Sequence, residues 1–242
     1  MVDRKTITNL LSNIGKYLSP DTAAWYADHG IPYRRSYLFS GPPGTGKSSM
    51  SSAIARHFGL ELCVVTSLKG IEPRQLDSLF HMAPPCCIIL LEDIDCAGVG
   101  QRQGDADSSG QSKEIPLSEL LNLIDGPNAR EGHILIMTTN HPENLDDALV
   151  RAGRVDLHVE FKNATREQVE EIFIAMYTRH GSIATDLDGV ADMAQLKTLA
   201  QQYSSNIPNG QFSPAQIQGF LLNHKKTPRL AIMKPNDAVV TI

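Results

Sequence analysis

The stretch Tyr37-Leu-Phe-Ser-Gly-Pro-Pro-Gly-Thr-Gly-Lys-Ser48 decides the fold. A short apolar run is followed by a glycine-rich turn and then by Met50, Ile54 and Phe58 at helical spacing. Strand, loop and helix in that order form the setting in which the pattern GxxxxGK[ST] cradles phosphate. The loop comprises Gly41, Pro42, Pro43, Gly44, Thr45 and Gly46, and the glycines at 44 and 46 allow backbone N–H groups to turn inward. The helix that follows offers its positive end at Lys47, Ser48 and Ser49. Lys47 is placed to reach β- and γ-phosphates, and Ser48 to put its hydroxyl on Mg²⁺.

Outward from this loop, short apolar runs alternate with helical patterns. Leu62 to Val65 reads as a strand, Leu76, Leu79 and Phe80 as one face of a helix, and Cys87 to Leu91 as an uninterrupted buried strand. Leu117, Leu120, Leu121 and Ile124 repeat at i, i+3, i+4 and i+7, and Gly126-Pro127 closes that helix. Ile134 to Met137 is another buried strand, and Val155 to Val159 alternates as an edge strand would. The predicted class is α/β, a phosphate-loop parallel-sheet sandwich. After about Asn163 the pattern becomes helical: Val169, Ile172, Phe173 and Met176 form one stripe, Leu196, Leu199 and Ala200 another. Ser213-Pro214 then reads as an N-cap with proline in the first turn. The expected organisation is an N-terminal extension at 1–20, an α/β domain at 21–162, a small all-helical domain at 163–224 and a tail at 225–242. Residues 98–113, GVGQRQGDADSSGQSK, have almost no apolar content and predict a disordered surface insertion, with or without a role of its own.

Three further segments carry chemistry. Ile88-Ile-Leu-Leu-Glu92-Asp93-Ile-Asp95 delivers acids at the carboxyl end of a buried strand, where open parallel sheets bind ligands. One acid is expected on Mg²⁺ and its neighbour on the attacking water. Ile134-Leu-Ile-Met-Thr-Thr-Asn140 ends its strand in an amide, placed either to hold the lytic water and γ-phosphate or to cap the turn. In Leu149-Val-Arg151-Ala-Gly-Arg154 two arginines flank a glycine. They are either solvated surface charges or groups that stabilise phosphate charge in a neighbouring subunit.

Whole-chain properties bound the partners. A net charge of −5 with interspersed signs disfavours a general nucleic-acid binder, and the longest apolar run, near Cys86 to Leu91, is too short to span a bilayer. Cys63, Cys86, Cys87 and Cys96 form no CxxC pair and read as buried free thiols of a reducing compartment.

Together the segments resemble the AAA family of ring-forming ATPases. Residues 41–48 match Walker A, 88–93 Walker B, Asn140 sensor 1, and Arg151 with Arg154 the paired arginine fingers; the helical region matches the family's lid. The resemblance narrows on Trp25-Tyr-Ala-Asp-His-Gly-Ile-Pro-Tyr-Arg-Arg35, Leu91-Glu-Asp-Ile-Asp95, Thr138-Thr-Asn-His141, Gly153-Arg-Val-Asp156 and Phe212-Ser-Pro-Ala-Gln-Ile-Gln-Gly219. These are similar to the mitochondrial AAA chaperones that translocate an iron–sulfur protein during respiratory-complex assembly. The order Glu92-Asp93 reverses the commoner Asp-Glu, so by position Glu92 becomes the metal-side acid and Asp93 the water-activating one. The resemblance implies ATP and Mg²⁺ as ligands, and catalytic roles for Lys47, Asp93, Asn140, Arg151 and Arg154. It also implies metal contacts at Ser48 and Glu92, a homo-oligomeric ring of six or seven subunits, and an adenine site near Asp28 to Ile31. A pore-facing turn is expected near Ser67 to Glu72, without the aromatic grip of a threading unfoldase.

The resembled chaperones carry a membrane helix, a targeting region and a family-specific domain ahead of the ATPase, whereas this sequence starts almost at the ATPase. A truncated product or a paralogue without an anchor is therefore expected, placed in the mitochondrion by resemblance or in cytoplasm or matrix as a soluble protein. The expected function is ATP hydrolysis driving remodelling or translocation of a protein substrate. The alternative is an ATP-binding regulatory or interaction module with little turnover.

Overall fold

A computed structural model describes residues 2–97, 117–126, 131–151, 153–179, 182–183, 190 and 192–233 of the 242-residue chain. The expected insertion at 98–113 lies outside the described residues. The chain divides into a sheet unit, Val2–Gly41 with Lys47–Glu160, and a helical unit, Phe161 onward with Pro42–Gly46.

The sheet unit opens with two helices, α1 (Arg4–Tyr17) and α2 (Pro20–Asp28). It continues through β1 (Arg35–Ser40), α3 (Lys47–Phe58), β2 (Leu62–Val65), α4 (Pro73–Met82), β3 (Ile88–Leu91), α5 (Leu117–Asp125), β4 (Ile134–Thr139), α6 (Asp147–Val150) and β5 (Leu157–Glu160). The five strands pair in parallel in the order β2-β3-β4-β1-β5. Strands β3 and β4 are buried at every position, because helices cover both faces of a parallel sheet. On one face Leu38, Ile89, Leu91, Leu135 and Met137 meet Leu76 and Phe80 of α4, Leu120 and Ile124 of α5, and Leu149 of α6. On the other, the Tyr37 hydroxyl donates to Asn13 Oδ1 at 2.8 Å, which seats α1 there. Helix α1 buries Leu10, Ile14 and Tyr17, so the stretch expected as an extension supplies part of this core.

At the amino-terminal ends of the strands Tyr17 stacks on Tyr33 with ring centroids 4.5 Å apart. Its hydroxyl lies 3.2 Å from the carbonyl oxygens of both Tyr33 and His133. Burial, with Tyr33 beside it, pushes that phenol well above its ordinary range. Among the cysteines Cys87 is buried and Cys63 half-buried, but Cys86 is exposed. A left-handed backbone at Cys86 (φ 58°) ahead of β3 turns it out of the apolar run in which the sequence places it.

The helical unit contains α7 (Arg166–Tyr177), the two-residue strands β6 (Thr178–Arg179) and β7 (Ser182–Ile183), α8 (Met193–Asn206), α9 (Pro214–Leu222) and α10 (Pro228–Met233). Its core is Val169, Ile172, Phe173, Tyr177, Leu196, Ala200, Tyr203, Ile217, Phe220 and Leu221. Thr165 with Gln168 and Ser213 with Gln216 form reciprocal capping boxes that fix the starts of α7 and α9. The β6–β7 ladder interrupts a region that reads as purely helical, since two-residue strands are too short to show a period.

Candidate nucleotide site

Strand β1 ends at Ser40, and Gly41 N donates to the Thr139 carbonyl at 3.2 Å, so the loop leaves the sheet beside the end of β4. Thr45 closes the turn through its hydroxyl to the Pro42 carbonyl at 2.7 Å. Within the helical unit Ala215 N donates to the Gly44 carbonyl at 3.1 Å. Gly44 has φ +73°, and a Cβ there would sit 2.8 Å from Ser213 Oγ, so both conformation and space demand glycine.

Lys47 is buried at the start of α3. Its Nζ donates to the Gly41 carbonyl at 2.7 Å and to Asn140 Oδ1 at 2.6 Å. Burial pushes the Lys47 ammonium below its ordinary value, and the charges of Asp93 and Asp95 work against that displacement. Asn140 in turn donates from Nδ2 to Asp93 Oδ1 at 3.0 Å. Lys47 and Asp93 are thus joined through the side chain of Asn140. Ser48 is exposed on the first turn of α3 and its hydroxyl donates to Glu92 Oε1. Ser49, the next residue, is also exposed.

The acids reach these positions because the backbone turns sharply after β3. Asp93 adopts φ +48°, a left-handed conformation that aspartate tolerates better than most side chains, and its N–H donates to Thr138 Oγ1 at 3.1 Å. A residue given no role by sequence, Asp95, lies in the turn Ile94–Ala97. Its Oδ1 accepts from Thr139 Oγ1 at 2.8 Å and from Asn140 N at 3.2 Å, which fixes the backbone that aims Asn140. The signal for Asp95 was its place one turn after the acids at a strand end.

The structure therefore brings Lys47, Ser48, Glu92, Asp93 and Asn140 together. It does not bring Arg151 and Arg154 to them. The Ser36 hydroxyl donates to the Arg154 carbonyl, which places that arginine at the amino end of β1. The loop begins at the other end of this six-residue strand, about 16 Å away at 3.3 Å per residue. Residues 28–31 lead into Tyr33, which lies at the amino end of the sheet with the ring of Tyr26 5.5 Å away. In the turn expected to face a pore, Ser67, Lys69 and Gly70 are exposed while Leu68 is buried as an anchor.

Two family profiles match the chain. The profile of the AAA family, "ATPase family associated with various cellular activities", matches residues 37–163. That of the "Mitochondrial chaperone BCS1-like, ATPase lid domain" matches residues 166–236. The probable mitochondrial chaperone BCS1-A of Dictyostelium discoideum is 40% identical over 93% of this chain and 51% of its own length. The probable mitochondrial chaperone bcs1 of Schizosaccharomyces pombe is 37% identical over 92% of this chain and 47% of its own. The human mitochondrial chaperone BCS1 is 34% identical over 88% of this chain and 48% of its own. The chain thus spans about half the length of the curated relatives it matches. With a glycine loop after β1, two acids after β3 and an amide after β4 of one parallel sheet, and a helical unit of BCS1-like lid type following in sequence, the chain belongs to the AAA ATPase family.

Proposed function

We propose that this chain hydrolyses ATP with Mg²⁺ and couples turnover to remodelling or translocation of a protein substrate in the mitochondrion. The observation that carries the reading is the bridge Lys47–Asn140–Asp93, which links a phosphate-binding ammonium to a carboxylate through one amide. In this reading Gly41 to Ser49 wrap the phosphates and Lys47 neutralises the β- and γ-oxygens. Asn140 orients a water whose proton Asp93 accepts. Ser48 and Glu92 present adjoining hard oxygen donors, which fit Mg²⁺ rather than a softer metal. Bound there, the ion would supply charge neutralisation at the phosphates.

Arg151 and Arg154 lie at the end of the sheet away from Lys47, which favours one copy's arginine serving another's nucleotide, in a homo-oligomeric ring whose six or seven copies follow from the family resemblance. The mitochondrial and chaperone roles follow the names of the relatives. Among the described residues no helix is long and apolar enough to cross a membrane.

The test is phosphate release by purified protein across a range of protein concentrations, with ATP affinity measured alongside. Turnover that rises per chain with concentration, and an Asp93→Asn variant that binds Mg-ATP normally but releases phosphate at least 100-fold more slowly, is the expected result. Tight ATP binding with no turnover at any concentration would instead identify a nucleotide-dependent regulatory module.

A further inference from the structure

The two arginines are equivalent in sequence but not in the fold. Arg154 is committed within its own chain. Its NH1 donates to the Ala148 carbonyl at 2.7 Å, its Nε lies 3.6 Å from Asp125 Oδ2, and its side chain is only 27% exposed. Its backbone is held as well: the carbonyl accepts from Ser36 Oγ, and the N–H donates to the Arg151 carbonyl at 3.1 Å. Asp125 is a shared anchor, since Arg34 NH1 also approaches it at 3.9 Å while the same guanidinium donates to the Ile124 and Gly126 carbonyls at the end of α5.

Arg151 is the reverse case. Its backbone is pinned, because its carbonyl accepts from the N–H groups of both Arg154 and Val155, and Val155 and Leu149 are buried on either side of it. Its side chain is exposed and has no hydrogen-bond or ion-pair partner among the described residues. A guanidinium on a rigid mount with every donor free is preorganised to meet a phosphate. One already satisfied by a carboxylate and a carbonyl must first give both up.

We propose that the pair divides its work: Arg151 alone reaches the nucleotide phosphate of a second copy, while Arg154, clamped by Asp125 and the Ala148 carbonyl, is a positioning residue that fixes the turn carrying Arg151. This rests on the reading of the site as an ATPase completed by another copy. It adds Asp125, at the end of α5, as a residue on which turnover depends without touching nucleotide.

Four variants test it: Arg151→Ala, Arg154→Ala, Asp125→Ala and the double variant Asp125→Ala/Arg154→Ala. Each is assayed alone and mixed with an equal amount of Asp93→Asn chain, with kcat, KM and Tm recorded. Arg151→Ala should lower kcat at least 100-fold with KM and Tm unchanged. Mixed with Asp93→Asn it should recover turnover at about one quarter of the sites, those pairing an intact Asp93 with an intact Arg151 from the other chain under random assembly. Arg154→Ala and Asp125→Ala should lower both kcat and Tm. The double variant should be no worse than the poorer single, because both break one clamp. Mixing should rescue Arg154→Ala too, which a general loss of folding in that chain would not permit.

The proposal is overturned if Arg154→Ala abolishes turnover with Tm intact while Asp125→Ala is silent, or if Arg151→Ala retains turnover. A wild-type protein that binds ATP without turnover overturns the ATPase reading and Arg151's part together. The Tm coupling of Asp125 with Arg154 is measured regardless, and its absence would overturn the clamp by itself.

Discussion

Replacing Asn140 with aspartate keeps the shape of the side chain and changes one atom. The Nδ2 that donates to Asp93 Oδ1 at 3.0 Å becomes an oxygen, and the Oδ1 that accepts from Lys47 Nζ at 2.6 Å is retained. Two unit charges 3.0 Å apart repel by about 5.5 kcal/mol at an effective dielectric of about 20. Asp93 and Asn140 are only half-buried, so water screens much of that, and Lys47 draws in the new charge. What survives is a repulsion on the order of 1–2 kcal/mol.

The sign follows from the charge: the new carboxylate at residue 140 repels the Asp93 carboxylate and destabilises the fold, whereas in an Asp93→Asn background it meets a neutral amide. Lys47 attracts the new carboxylate in both backgrounds, so its part cancels in the comparison. Asn140→Asp should therefore cost about 1–2 kcal/mol more in the otherwise wild-type chain than in the Asp93→Asn chain. The assay is urea unfolding of wild type, both single variants and the double variant near neutral pH. A coupling below about 0.5 kcal/mol would refute the reasoning, since it would mean that the charge on residue 140 is not felt by Asp93.

Other substitutions probe neighbouring features. Asp95→Ala removes the acceptor for Thr139 and for the Asn140 N–H, so kcat should fall about 10-fold with little change in ATP affinity, read by steady-state phosphate release at saturating Mg-ATP; an equal rise in Kd would contradict a purely positioning role. Phe173→Ala empties the centre of the helical unit, where its ring lies 4.8 Å from Tyr177 and 5.1 Å from Tyr203. It should cost about 3–5 kcal/mol by urea unfolding, and a loss below about 1.5 kcal/mol would deny that this ring holds the core. Burial pushes the phenols of Tyr37 and Tyr177 up to about 12. A raised acid pKa leaves stability intact below the unfolded value near pH 10 and drains it as pH rises toward about 12. Tyrosinate absorbance and circular dichroism should therefore change together above pH 10; full titration of all six tyrosines with the dichroism unmoved would contradict this.

Sequence determined what depends on local pattern and fixed spacing. A strand of apolar residues ending in GPPGTGKS can place its glycines in only one kind of turn. The buried runs before Glu92 and Asn140 put those side chains at the carboxyl end of the same sheet, because every parallel strand delivers its end to one edge. The N-cap at Ser213 was likewise legible, because it bonds locally to the backbone N–H three residues on. Tertiary structure decided what depends on residues far apart in the chain. Asp95 gains its role only when β4 arrives beside the turn after β3, 44 residues later. Helix α1 becomes core only when Asn13 meets Tyr37. Arg151 and Arg154, identical as residue types, separate because the end of α5 brings Asp125 to one of them and not the other. Spacing fixes which side chains share an edge; which of them is left free to act depends on partners that only the folded chain assembles.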